Sequence, residues 1–479
     1  MHSRRLIDRF GQMVQRLTIH LDKRLSIDVQ SLRLFRCALG LTLALQFAGY
    51  LTEAQALLSD EGVLPIESWK KLPHANWPWV SSLLALSGST LWSECCLMLG
   101  ILLALLLAIG YRVRWVSLSL LVLLHSVQAR NPWVLYAADK LLFLLLLWYS
   151  LLVASLGRQG ASGSVIRHLA GWGLRLQVCV MYLFSVLRKT GHTWEEGTAV
   201  RYVLEIDQFS RPEASWLLDL PPNYLQIMTW STLTLECLAP FMLLSISIRW
   251  RCLGLFSLCM LQLGFWFTMD LGWFPWISTL ALIPHLPARL TGKPDRASFL
   301  EPFRFSHWDR LAGWLLVGML GWNLAMNHTY PDTLKSRLPA WIGQSIALLR
   351  LDQYWGMFAP NPMVHDGWFV MLATYPGGQQ LDLLDPERQD PALKPANVLA
   401  TFPSDRWKDF LMMLYDYPDQ AHLWEGVVQW FVSAHQTPEF QGQQPESIRV
   451  LYMMEETLEE GVAPPVEEQL WPRPASMTE

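Results

Sequence analysis

Apolar runs of about 18–25 residues recur along this chain as far as residue 326, and a run of that length crosses a bilayer as a helix. In hydrocarbon a backbone must satisfy its own N–H and C=O groups, so such runs are restricted to helices. They fall at about 31–51, 91–110, 115–130, 135–154, 169–188, 223–247, 252–270, 272–288 and 307–326, which predicts nine transmembrane helices. Composition agrees: 16% of the 479 residues are charged, against roughly a quarter in soluble proteins. The 25 tryptophans fit interfacial belts. A formal net charge of −4 is too slight to attract nucleic acid. The seven cysteines all precede residue 260 and none forms a C-x-x-C pair, so neither a disulfide framework nor a metal site is expected. The basic, amphipathic start shows no cleavable signal pattern.

Loop charge predicts orientation. With the N-terminus inside, the inner loops are 1–30, 111–114, 155–168, 248–251 and 289–306, and all are basic. The outer loops, 52–90, 131–134, 189–222 and 271–273, are more acidic or very short. Nine spans then place the C-terminal region outside an inner or cytoplasmic membrane. The domains expected are a basic cytoplasmic segment (1–30), a multi-span membrane domain (31–326) and an extracytoplasmic α+β domain (327–479). Within the tail, 365–375 and 379–384 read as a hairpin about Gly377 and Gly378. Helices are expected at about 405–415 and 418–434, a strand at 447–457, and a fraying Pro- and Glu-rich end.

Polar residues gather at the predicted outer ends of the spans. Asp139 and Lys140 lie near the start of the fourth. Arg188 and Lys189 close the fifth, where the stretch 182–197 passes from apolar helix to a charged turn bearing Trp194, and an interfacial helix is expected over 194–209. Asp270 ends the seventh, and Arg130 with Asn131 the third. Ionisable groups at such depth are costly in lipid, so the set predicts a water-accessible pocket, although long cations at span ends also snorkel. Tyr182, Ser185 and Lys189 are spaced i, i+3, i+7 and share one helical face. Burial lowers a lysine's pKa, so Lys189 is a candidate proton acceptor; an ion pair with Asp139 or a nearby Glu is the alternative. Glu236 lies in the middle of the sixth span and needs a partner, for which Arg36 is a structural candidate.

Several motifs stand together: Arg130, Asn131 and Pro132 before Asp139 and Lys140; Lys189, Trp194 and Gly197; Glu236 to Pro240; and Gln353 to Pro360 before Asp366, Gly367 and Trp368. In order and spacing they resemble the transmembrane family that includes vitamin K-dependent gamma-carboxylase, often called the HTTM family. The resemblance implies nine helices with an exported C-terminal region, and Lys189 as the base that activates a reduced, vitamin K-like quinone. Two family histidines are absent, one near Ala137 and Ala138 and one where Gln262 stands. The expectation is a quinol-linked, carboxylase-like enzyme acting on an exported peptide or lipid, with a pocket of Asp139, Lys140, Tyr182, Ser185, Arg188, Trp194 and Asp270. The alternative is a non-catalytic membrane protein that assists export or maturation of a secreted partner.

Overall fold

The computed structural model of the protein describes residues 21, 24–72, 82–156, 165–287, 306–328, 339–351, 353–388, 390, 393–417, 422–434, 443–458 and 461–472. Most of the basic N-terminal segment, Arg158, and the basic loop at Arg289, Lys293, Arg296 and Arg304 lie outside them. So does the junction at 329–338.

Among the described residues, eight long helices form the bundle: α1 (Val29–Thr52), α2 (Thr90–Ile109), α3 (Val113–Arg130), α4 (Ala137–Leu156), α5 (Leu169–Arg188), α6 (Pro222–Leu243), α7 (Ile248–Thr268) and α8 (His307–His328). Five of them, α1, α2, α4, α5 and α7, are long and apolar enough to cross a membrane. α4 is the axle. Leu141 to Leu147 are all buried, the behaviour of a helix hydrophobic on every side. α1 lies tightly on α2 because Gly40 lacks a side chain: a Cβ there would stand 2.6 Å from the Ala104 carbonyl and the Ala108 nitrogen. Close approach through small residues is how helices associate without a hydrophobic driving force.

The run 272–288 is not one continuous helix. It contains a seven-residue helix, Phe274–Leu280, and a 3-10 turn, Ile283–His285, with Pro275 and Pro284 at their starts. It still leads from one end of the bundle to the other. Asp270 accepts from Lys408 at one end, through its carbonyl, and Leu286 from Ser31 at the other. Irregular backbone of this kind is tolerated at membrane depth only where protein encloses it, and Ile277, Ser278, Ala281 and His285 are fully buried. The single interfacial helix predicted at 194–209 is likewise two, His192–Glu196 and Ala199–Glu205. They are parted by Gly197 at φ +81°, a conformation that ends the first helix.

Among the described residues of the tail, a short helix (Ala340–Leu348) precedes a five-stranded antiparallel sheet and the two helices that pack on it. β1 (His365–Thr374) lies between β2 (Gln380–Asp382) and β3 (Ser447–Leu458); β3 also pairs with β4 (Gly461–Val462) and β5 (Val466–Trp471). Part of the end expected to fray forms β5, held by pairs such as Tyr452 with Glu468, while 473–479 lie outside the described residues. Helices α9 (Asp405–Asp416) and α10 (Trp424–Ala434) cover the sheet. Phe369 is the hub, with Phe402, Tyr415, Trp424 and Tyr452 rings within 6.5 Å.

Candidate functional site

The i, i+3, i+7 face of α5 forms one wall of a small cavity. Tyr182, Ser185 and Lys189 line it with Glu236 from α6 and Gln262 from α7. The Lys189 Nζ donates to Glu236 Oε2 at 2.6 Å, and Ser185 Oγ donates to the same oxygen at 3.2 Å. Gln262 Nε2 donates to the Tyr182 hydroxyl at 2.6 Å. The Trp194 ring covers the lysine, its centroid 4.8 Å from Nζ. Met181, Phe265, Phe274, Trp355 and Phe358 close the apolar remainder.

A strap from the start of the tail seals this arrangement. Gln353 Oε1 accepts from Gln177 at 2.6 Å and from the Trp355 indole at 3.1 Å. The Trp194 indole donates to the Phe358 carbonyl at 2.9 Å, and the Gly191 N–H to the Pro360 carbonyl at 3.0 Å. Asn361 Oδ1 accepts from both the backbone N–H and the hydroxyl of Thr193. Phe358 sits at φ +58°, a strained position for a bulky residue, held there by these contacts. Gly191 is required: an added Cβ would lie 2.0 Å from Asn361 Oδ1. The motifs around Lys189 and Gln353, far apart in sequence, are thus two sides of one joint.

The cavity itself measures about 60 Å³. At roughly 10–15 Å³ of such space per water it has room for a few water molecules.

The remaining pocket candidates divide. Asp139 does not reach Lys189. It is buried at the start of α4 beneath Arg406 of α9, whose NH1 and NH2 each stand 3.4 Å from its carboxylate. Arg406 also donates to Gln46 Oε1 at 2.8 Å and stacks 3.5 Å from the Tyr50 ring centroid. Lys140 is half-buried and outside the cavity. Arg188 lies 4.1 Å over the Tyr354 ring. Asp270 faces Arg211 at 3.9 Å. Arg36 does not pair with Glu236; it donates to the Ala108 carbonyl at 3.4 Å. Separation along the chain hid the true partner, because Lys189 completes Glu236 from another helix. Arg406, Gln46 and Tyr50 were not among the expected residues. Gln46, polar within an apolar run, was the one local signal; Arg406 sits in a tail helix that reads as soluble.

No metal site is expected from the cysteines, yet Asp207, Asp366 and Glu455 bring carboxylate oxygens within 4.8 Å of one another. The Lys394 ammonium already stands among them, 2.5 Å from Asp207 and 2.6 Å from Glu455.

The sequence profile of a family described as the lipase maturation factor transmembrane domain matches residues 31–291. No curated protein and no solved structure matches the chain. The profile match overturns the resemblance to the carboxylase (HTTM) family, and with it the quinol-linked, lyase-like enzyme. The geometry is consistent with that correction. The amine assigned as a base is tied to the Glu236 carboxylate.

Proposed function

The chain belongs to the lipase maturation factor transmembrane-domain family, and from that premise we propose that it is a non-catalytic membrane protein that assists maturation of a secreted lipase. The observation that carries this reading is the profile match over more than half of the chain. The internal pairing of Lys189 with Glu236 and of Arg406 with Asp139 supports it, since both tie up charges that a reacting site would leave free. The role left for these groups is to hold the bundle and tail in one arrangement, with the sheet and its helices as the working surface.

On this reading the chain crosses the membrane nine times, counting the broken segment 269–287. The N-terminus is inside and the tail outside, where an exported partner is met. Two features support that topology. The bundle end away from the tail carries Arg249 and Arg251, and five loops share one charge bias. The tail docks at the ends of α1, α4 and α5 that the same bias puts outside.

The test is co-expression of a secreted lipase with and without this protein, in cells lacking it. Activity per unit of secreted lipase is the readout. A lipase that reaches the medium inactive, or not at all, unless the protein is present is the expected result. Equal specific activity and yield in both cases would sink the proposal.

A further inference from the structure

Two carboxylate clusters join the tail to the bundle, and in each the acids outnumber the bases. In the first, Asp207, just beyond the helix Ala199–Glu205, meets Asp366 in β1 and Glu455 in β3. Lys394 is the base that answers all three. The Asp207 backbone N–H donates to Asp366 Oδ2 at 2.5 Å, so bundle and sheet touch directly here. Asp366 is 3% exposed, and Tyr452 faces it from β3 with its hydroxyl bound by Gln208. In the second cluster, Asp405 and Asp409 of α9 lie beside Asp270 and Asp139 of the bundle. Arg406 and Lys408 oppose them, Tyr136 faces Asp409, and Glu53 stands near Arg406 and Asp405. Arg211 approaches Asp270 from the far side.

Three carboxylates around one ammonium, with Asp366 and Glu455 buried and Lys394 and Asp207 reaching the surface, carry excess negative charge once all are ionised. Like charges at that range favour a bound proton on one of them. Asp366 and Glu455 are cross-strand neighbours within the tail, so separating tail from bundle takes Asp207 away and opens Asp366 to water, where it gives the proton up.

We propose that the tail is fastened to the membrane bundle by a proton-dependent clasp, with Asp207, Asp366 and Glu455 gathered on Lys394 as its main element and the α9 carboxyls as its second. The clasp is tightest at acidic pH and loosens as pH rises toward neutrality. The titration has the sign this requires. Burial, and after it the Asp207 carboxylate, pushes Asp366 up to about 7. Burial does the same for Asp409, also to about 7, against the opposing pull of Lys408 and Arg406. A raised carboxyl contributes stability that is complete below the ordinary carboxyl range and is lost as pH rises through about 7. The clasp concerns how the tail is held and stands independently of what the tail binds.

Hydrogen exchange on the full chain in lipid nanodiscs tests it, following peptides over 199–209 and 365–374. After correction for intrinsic exchange, the opening constant is expected to rise up to tenfold per pH unit for each proton released, between about pH 4.5 and about pH 7, and to level off above that. Asp366→Asn, which mimics the protonated group, is expected to keep these peptides protected at the upper pH and flatten the dependence. Lys394→Met removes the one cation and is expected to shift opening to lower pH; it carries the test should Asp366→Asn not fold. Equal wild-type protection across the range overturns the clasp. So does an undiminished pH dependence in the Asp366→Asn, Asp409→Asn double variant.

Discussion

The ion pair of Lys189 with Glu236 is the residue-scale decision on which the functional reading turns. Both side chains are buried at the meeting of α5 and α6, and among the described residues lining the cavity each is the other's one charged partner. Removing one partner leaves an uncompensated buried charge. Glu236→Gln is therefore expected to destabilise the protein by about 3–5 kcal/mol, read as earlier thermal unfolding in detergent micelles. Removing both is a different experiment. Lys189→Met with Glu236→Leu is expected to unfold no earlier than the wild type and to preserve lipase maturation, since apolar replacement of a buried pair is often neutral or stabilising. A stable double variant that no longer supports maturation would return the pair to a working role. Arg406 makes the second test. Arg406→Lys keeps the charge but loses the planar stack on Tyr50 and the fork toward Asp139 and Gln46. Weaker protection of α9 in hydrogen exchange is the expected result. The shared face of Tyr182, Ser185 and Lys189 was legible from spacing alone. Which carboxylate answers the lysine was not, because 47 residues separate the pair and only helix packing closes that distance.

Among the elements, the informative ones are those that depart from a continuous helix. The segment from Asp270 to Leu286 does a helix's job of traversing the bundle with its backbone satisfied in pieces. The Trp273 N–H donates to the Tyr136 hydroxyl at 3.0 Å. Tyr136→Phe leaves that donor with no acceptor, and a cost of about 1–3 kcal/mol is expected in the same unfolding assay. Hydropathy marked this run as apolar and could not show the break, because enclosure by neighbouring helices is what permits it. Gly197 is the companion case. Its φ of +81° parts two helices that periodicity merges into one, and a Cβ would stand 2.4 Å from the Gln226 side chain. Gly197→Ala is expected to cost about 1–2 kcal/mol from backbone strain alone.

For the whole molecule, the consequence is that bundle and tail are one structure. Arg406 enters the end of the bundle, the strap 353–361 seals the α5 cavity, and Asp207 meets Asp366 across the boundary. The side of the membrane they face is open to direct test. In a cysteine-free background, a cysteine at Glu387 is expected to react with a membrane-impermeant maleimide added outside intact cells. One at Arg249 should react only after permeabilisation. Labelling of both from outside would contradict the nine-crossing topology.

The sequence by itself determined the class of protein: long apolar runs leave the backbone no option in lipid but helix, and alternation with turn glycines marked the tail hairpin. Those are local rules, readable within one segment. The tertiary structure decided what the polar residues are for. Lys189, Glu236, Asp139 and Arg406 belong to different elements, and their chemistry follows from which ends of which helices meet. Local spacing carries a residue's face but not its partner, and a buried charge takes its role from the partner.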